Sequence, residues 1–274
     1  MVGELMPLAV LLLSMTAILA VPGSGAAAEL RPATVAAFNR YVAATEAERD
    51  IAEAFLWIDG DTPERQRARD LVRRGGLLIE RVETRSGGRE TEVPDGLVHH
   101  WIGVVFVPGG TVDRAVALLQ DYDRHADVFK PNVARSRVLG RDGERFRVHL
   151  RFFMKKVLTV VVNSEHDAQF TRESPTRVRS RIVSTRIAEV EDPDTPGERE
   201  LPPGRDGGYL WRINSYWRFL ERDGGVYVQC ESISLTRGIP FGLRWIVGPF
   251  VTSIPRETLT FTLETTRRAL AAGM

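Results

Sequence analysis

The chain has 274 residues, of which 43% are hydrophobic, and a formal net charge of +1 at pH 7. This length is enough to bury one sizeable core, and the near-neutral balance argues against the concentrated basic surface that nucleic-acid binding requires. Cys230 is the single cysteine, so an internal disulfide is excluded and the core alone must hold the fold together.

The N-terminus carries the pattern of an export signal. An almost wholly apolar segment, residues 5–21, follows Glu4 and precedes Pro22-Gly23 and the small residues at 26–28. This order predicts a signal peptide over residues 1–28, cleaved near Ala28, and export to the periplasm or cell envelope. The segment has no preceding Lys or Arg and is close to the minimum of about 17 residues for a bilayer span, so an uncleaved anchor is the alternative.

Residues 29–95 read as a mainly helical N-terminal extension. Helical spacing runs from Ala33 to Trp57, and Thr62-Pro63 then marks the start of a second helix that ends at Gly75-Gly76. Residues 77–83 alternate loosely and could form a strand.

From Gly96 the pattern becomes regular, with a first strand that is apolar on both faces and ends at Pro108. Thr111 then caps a helix, and a short second helix follows around residues 123–129. Six further strands are predicted, at residues 133–140, 145–154, 157–170, 177–190, 209–221 and 226–235.

Two Asp-Gly pairs predict tight hairpins within this run, at 142–143 and 223–224, whereas residues 191–208 read as a long loop. Helical spacing returns after Pro240. A short turn is interrupted at Gly248-Pro249, and a long helix runs from Ser253 to Ala271 with Leu259 and Leu263 on its inward stripe.

Four short sequences accompany this order of elements: Asp121-Tyr122-Asp123, Trp211-Arg212, Tyr216-Trp217-Arg218, and Glu231 to Arg237 before Ile239-Pro240. Together they resemble the START-like (SRPBCC, helix-grip) superfamily, whose members include lipid-transfer START domains, coenzyme Q-binding START-like proteins and polyketide cyclases. The resemblance covers roughly residues 96–271. It implies an α+β helix-grip domain over 96–274, with a curved antiparallel sheet of about seven strands around a long C-terminal helix and a cavity between them.

The alternation of the strands predicts which side chains would line that cavity. Apolar residues of the penultimate strand share one phase, while Arg and polar residues share the other. Arg186 and Glu231 are added because a charge near an apolar face needs a partner, which for Arg186 could be a ligand group or Glu231. The alternatives are an ion pair of Arg186 at the rim of the sheet and a solvent-facing Glu231. The predicted ligand-binding residues are Phe152, Arg186, Trp211, Ile213, Trp217, Phe219, Glu231, Leu259 and Leu263.

The residues offer little support for catalysis. None of the five histidines has metal-ligand spacing with a carboxylate or thiol, and no phosphate-binding glycine loop or nucleophile elbow is present. No metal site, cofactor or catalytic residue is therefore predicted, and a non-enzymatic function is favoured.

The favoured function is binding or carrying an apolar small molecule, such as a lipid, quinone or polyketide-like compound, inside the cavity. One alternative, suggested by the cyclase relatives, is a cofactor-free cyclase or aromatase whose candidate residues are Tyr122, His166, Arg186, Tyr216 and Glu231. A second alternative is a filled core that acts through protein contacts. No nucleic-acid partner is expected, transient membrane contact through the arginine-rich face stays open, and so does the oligomeric state.

Overall fold

The computed structural model describes residues 28–51, 54–83, 85–86, 89–155, 159–239 and 244–273. The predicted signal peptide, apart from Ala28, and its membrane-anchor alternative lie outside the described residues. Within the described ranges, no helix combines the length and the apolar character needed to cross a bilayer.

Five helices and thirteen strands make up the described fold. The helices are α1 (Pro32–Ile51), α2 (Pro63–Arg73), α3 (Val112–Gln120), α4 (His125–Val128) and α5 (Arg244–Ala271). The long strands are β5 (Gly96–Pro108), β6 (Val133–Asp142), β7 (Arg145–Lys155), β8 (Thr159–Ser174), β9 (Arg177–Glu191), β12 (Arg212–Arg222) and β13 (Gly225–Arg237). The short strands are β1 (Ala28–Glu29), β2 (Leu78–Arg81), β3 (Arg85–Ser86), β4 (Arg89–Glu90), β10 (Arg199–Glu200) and β11 (Arg205–Asp206).

One antiparallel sheet of nine strands organises the molecule, in the order β2-β5-β13-β12-β9-β8-β7-β6, with β10 paired to β9. With α5 packed against β5 and β13, this confirms the predicted α+β helix-grip fold. The seven long strands match the expected number. The two extra strands are β2, which comes from the N-terminal extension, and β10, which comes from the segment read as a loop.

Local signals in the sequence produce the expected turns and caps. Asp223 and Gly224 both have positive φ angles, 60° and 75°, and they join β12 to β13 with Arg222 opposite Gly225. Such a two-residue turn matches the twist of the strands it connects. The Thr62 and Thr111 side chains accept hydrogen bonds from the Arg65 and Arg114 backbone amides, both at 3.3 Å, and so cap α2 and α3.

The C-terminal helix differs from its prediction. The sequence predicts a break at Gly248-Pro249, but α5 is continuous from Arg244 to Ala271 and contains both Pro249 and Pro255. Each proline removes one backbone donor from the helix. The remaining hydrogen bonds on either side carry the helix through these positions, so the prolines do not divide it.

The N-terminal extension covers the outer face of the sheet, the face away from α5. Leu56, Ile58 and Val72 of the extension pack against outer-face residues such as Phe106 and Tyr227. Residues of α1 form a second buried cluster with the ends of β12 and β13, made of Phe38, Tyr41, Val42, Trp211, Tyr216, Ile233 and Leu235. Since β2 also joins the sheet, the extension is built into the same body as the strands.

Gly103 of β5 allows α5 to lie directly on the inner face of the sheet. A Cβ atom at this position would be 2.4 Å from Leu263 Cδ1 and 2.6 Å from Ile79 Cδ1. We expect Gly103→Ala to lower the free energy of unfolding by about 1–3 kcal/mol, the usual cost of overpacking, measured by urea denaturation. Gly140→Ala is the control, because the nearest atom to its Cβ would be Arg147 Nη2 at 4.0 Å. Equal stability of the two variants would contradict this packing.

Candidate functional site

On the inner face of the sheet, the solvent exposure of the side chains differs between two adjacent rows. Strand register aligns these rows across β5, β13, β12 and β9. One row is buried, and it consists of Gly103, Cys230, Trp217 and Ser180. The next row is only half-buried, and it consists of Trp101, Ser232, Ser215 and Ile182. In the row beyond, Ile213 is again half-buried, whereas His99, Ser234, Ser184 and His166 are buried by their neighbours. We call the half-buried row and the positions beyond it the open half of the inner face, and the remainder the closed half.

The closed half is a solid hydrophobic core. Inner-face valines of β5 and β13 pack there with α3 and with the C-terminal part of α5 in one buried cluster. Trp217 is 5% exposed and its ring stacks on Phe219 at a centroid distance of 6.2 Å. Leu259 and Leu263 of α5 belong to the same cluster. This half of the face is therefore already filled by the protein.

The open half has apolar side chains that the protein covers only partly. Trp101, Phe152, Ile182 and Ile213 are all half-buried, and the first three pack against the edge of the closed cluster. Partly covered aromatic and aliphatic side chains with a few polar neighbours are the kind of surface that lines sites for apolar ligands.

A buried histidine supplies a neutral polar group beside this patch. His166 of β8 is 3% exposed, and its ring lies edge-on to Phe152 with centroids 6.1 Å apart. Burial is the main cause that lowers the pKa of His166 to about 4, and the neighbouring His149 lowers it further. The imidazole is therefore neutral at physiological pH.

The hydrogen bonds of this histidine assign its tautomer. The Ser164 hydroxyl lies 2.9 Å from the Leu150 carbonyl, which can only accept, and 2.8 Å from His166 Nε2. We assign the hydroxyl proton to the carbonyl, and His166 then donates from Nε2 to the Ser164 oxygen. Nδ1 of His166 then carries the lone pair. Among the described residues, no donor lies within hydrogen-bond distance of this atom.

Besides Thr91 Oγ1, two buried hydroxyl groups lack partners among the described residues, and both lie in or beside the closed core. Ser180 Oγ lies in the buried row beside Trp217, and the Tyr122 hydroxyl lies next to the Phe146 ring, whose centroid is 5.5 Å from that of Tyr122. An unpartnered buried hydroxyl is costly in a native fold and calls for a specific explanation. Burial raises the pKa of Tyr122 well above its ordinary value, which keeps this group protonated.

Six of the nine predicted site residues lie on the inner face, divided between its two halves. Trp217, Phe219, Leu259 and Leu263 belong to the closed core. Phe152 and Ile213 are half-buried in the open half.

Arg186 does not lie on the inner face. The sequence places it in phase with Val178 and Ile182, but β9 bulges between Ser184, opposite His166, and Arg186, opposite Glu165. The extra residue of a bulge reverses the facing of the positions that follow it. Arg186 consequently forms an ion pair with Glu200 of β10, at a partly exposed site.

Trp211 and Glu231 also lie away from the inner face. Trp211 precedes β12, packs with α1, and donates from Nε1 to Asp206 Oδ1 at 3.0 Å. Glu231 lies on the outer face because it follows the inner-face residue Cys230 in β13, and it is buried because α1 covers it. The predicted inward orientation of Trp211 is wrong because β12 begins at Arg212, so the alternation of that strand does not determine where Trp211 points.

Glu231 is the centre of a buried polar network between α1 and the sheet. Its carboxylate contacts both His100 Nε2 and the Arg49 guanidinium, and the Tyr41 hydroxyl lies 2.5 Å from His100 Nδ1. Burial acts to raise the pKa of Glu231, but its hydrogen bonds and the charges of His100 and Arg49 outweigh burial and lower it. The extension encloses these groups, so the network holds α1 to the sheet.

The enzyme alternative receives little structural support from this arrangement. Of its five candidate residues, Arg186, Tyr216 and Glu231 lie off the inner face, and the Tyr216 hydroxyl donates to Glu46 of α1 at 2.6 Å. The described residues contain no group of three potential metal ligands. A surface depression of about 610 Å³ beside Asp113, Arg172 and Glu173 has charged walls and lies at the opposite end of the sheet from the open half.

Several inner-face residues are absent from the predicted site. Trp101 falls in the same phase as Gly103 and Val105, and this phase alone would have identified it. His166 and Ser180 are polar residues at inner-face positions of β8 and β9, a signal that is visible only once the face of each strand is known.

Comparison with known proteins reveals similarity of architecture. No family model and no curated protein matches the chain. A STAR-related lipid transfer protein of Xanthomonas axonopodis is similar over 65% of this chain and 95% of its own, with 17% identity and a TM-score of 0.45. Human STARD10 is similar over 78% and 82%, with 10% identity and a TM-score of 0.43.

An aromatase/cyclase of Streptomyces sp. R1128 is similar over 64% of this chain and 94% of its own, with 16% identity and a TM-score of 0.37. The chain's own strand order, with α5 packed against β5 and β13, gives it the helix-grip architecture that its pattern of strands and helices predicts.

Proposed function

We propose that this protein binds an apolar small molecule against the open half of the inner face. The observation that carries the proposal is the sharp boundary between the buried row and the half-buried row. Trp101, Ile182 and Ile213 remain partly uncovered although they adjoin a close-packed core. Covering them with a ligand would release water from apolar surface, worth about 25 cal/mol per Å².

The neutral groups beside this patch favour a carrier or sensor over an enzyme. His166, Ser164 and Ser184 can orient a ligand through hydrogen bonds, whereas none of them is paired with a carboxylate that would activate it. If the predicted signal peptide directs export, the protein performs this role in the periplasm or cell envelope.

Replacing Trp101 with Ala tests the proposal. N-phenyl-1-naphthylamine, a neutral apolar fluorophore, is expected to bind the protein saturably and to bind Trp101→Ala about tenfold more weakly, because a partly covered aromatic anchor is lost. Fluorescence titration measures both affinities.

Trp57→Ala is the matched control, since Trp57 packs with the outer-face cluster and its ring lies under Arg65. Its affinity for the fluorophore should equal that of the unmodified protein. Equal weakening by both tryptophan substitutions, or none by Trp101→Ala, would exclude the open half as the binding site.

A further inference from the structure

The polar groups at the open half specify which kind of apolar molecule fits there. The polar inner-face positions near the boundary carry no formal charge at neutral pH: Ser164, His166, Ser180, Ser184, Ser215, Ser232, and His99 and Ser234 in the row of Ser184. Glu189, opposite Val162, has both carboxylate oxygens in hydrogen bonds with the Gly207 and Tyr209 amides. A ligand anion placed against these groups would lose water without gaining a counter-ion, a cost of several kcal/mol. The wall therefore disfavours carboxylates and phosphates.

The hydrogen bond that His166 can make with a ligand has a defined direction, whereas the serine hydroxyls can donate or accept. His166 Nε2 is committed to Ser164 Oγ, so Nδ1 offers only a lone pair. The Ser184 hydroxyl already accepts from the Ile213 amide at 3.0 Å, beside the half-buried Ile213 side chain. His166 Nδ1 is thus a hydrogen-bond acceptor without a partner among the described residues, and it suits a hydrogen-bond donor on the ligand.

We infer that the ligand is a neutral, largely apolar molecule with a hydroxyl group, and that this hydroxyl donates its proton to His166 Nδ1. The inference rests on the proposed function, because it concerns the same open half. His166 acts here as a specificity-determining residue. Phe152, edge-on to the imidazole, holds the ring plane in position.

Three naphthalene derivatives of similar size separate the possibilities: 2-naphthol, which has a hydroxyl donor, 2-methoxynaphthalene, which has no donor, and 2-naphthoate, which is an anion. Binding is followed by quenching of tryptophan fluorescence and confirmed by calorimetry. We expect 2-naphthol to bind about 3- to 10-fold more tightly than 2-methoxynaphthalene, the contribution of one neutral hydrogen bond. We expect 2-naphthoate to bind more weakly than either, by at least about tenfold relative to 2-naphthol.

Two substitutions at His166 make the test specific. In His166→Leu, the preference for 2-naphthol over the methyl ether should disappear while the affinity for the ether changes by less than about twofold. In His166→Gln, the side-chain amide can donate to Ser164 and still present an oxygen, so part of the preference should return.

His125→Leu is the control for removing a buried histidine. His125 is 6% exposed and its Nε2 lies 3.2 Å from the Leu119 carbonyl, within the closed half. This variant should retain the full preference for 2-naphthol.

Each outcome has a distinct meaning. If all three compounds bind and the unmodified protein shows no preference for 2-naphthol, or if 2-naphthoate binds best, the inference about His166 is wrong while the binding site stands. If none of the three compounds binds and the fluorophore does not bind either, the proposed function itself fails.

Discussion

Replacing Glu231 with Ala should lower the free energy of unfolding by about 3–5 kcal/mol, because one partner of a buried ion pair would be removed and the other left uncompensated. The Glu231 carboxylate contacts His100 of β5 and Arg49 of α1, whose side chains are 1% and 13% exposed. Two nitrogen atoms of Arg49 already lack hydrogen-bond partners among the described residues, so the guanidinium has no other acceptor to turn to. Urea denaturation monitored by circular dichroism measures the change.

Glu64→Ala is the control for removing a carboxylate. Glu64 lies exposed on α2, where water screens its ion pair with Arg67 at 3.1 Å, so its removal should change the stability far less than Glu231→Ala does. A loss below about 1 kcal/mol for Glu231→Ala would show that the network does not hold α1 to the sheet.

The Glu231 contribution should also depend on pH in a defined direction. The folded state lowers the pKa of Glu231 below its ordinary value of 4.5, so the stabilisation is complete above that value and is lost as the pH falls through the folded pKa. The stability difference between the unmodified protein and Glu231→Gln should therefore shrink on acidification below about pH 4.5. A difference that grows on acidification would contradict the assigned direction.

Replacing Trp217 with Ala should cost about 3–5 kcal/mol of stability, the typical loss for a large-to-small change in a close-packed core. Trp217 is 5% exposed, stacks on Phe219, and lies in the buried row of the closed half. Because this row is closed to solvent, the substitution would leave a cavity that the neighbouring side chains could fill only partly.

Trp101→Ala is the matched comparison, since it removes the same side chain from the adjacent, half-buried row. Its stability loss should be clearly smaller than that of Trp217→Ala, while its effect on ligand binding should be the larger of the two. Equal stability losses, measured by chemical denaturation, would mean that the two halves of the inner face do not differ as described.

Local sequence signals predicted much of this fold because they act over short distances. The Asp223-Gly224 turn and the threonine caps of α2 and α3 depend only on neighbouring residues, and the structure confirms them. Alternation within a strand likewise placed Trp217 and Phe219 on the inner face.

The errors arise where long-range structure decides. The bulge that turns Arg186 to the other face depends on pairing between β8 and β9, and no local signal marks it. Alternation along β13 places Glu231 on the opposite face from Cys230. Only the packing of α1 onto that outer face shows that Glu231 is buried against Arg49 and His100. The sequence made His166 a candidate only for the enzyme alternative, and its role as a hydrogen-bond acceptor for a ligand depends on the Ser164 hydrogen bonds.

The outer-face arginines illustrate the same point. An arginine-rich face of a sheet can contact anionic membranes, face solvent, or pack against another part of the chain such as the N-terminal extension. Arg181 donates to Glu46 of α1 at 2.7 Å, and Arg218 donates to the Phe55 carbonyl at 2.6 Å. These contacts favour the seat for the extension.

Methyl NMR on the protein labelled at isoleucine Cδ1 shows which half of the molecule a ligand contacts. On titration with N-phenyl-1-naphthylamine, we expect saturable shifts of the Ile182 and Ile213 methyl signals, assigned through single Ile→Val variants. The signal of Ile58, which is fully buried in the outer-face cluster, should not move. Shifts at Ile58 with none at Ile182 and Ile213 would place the ligand outside the open half and contradict the proposed binding site.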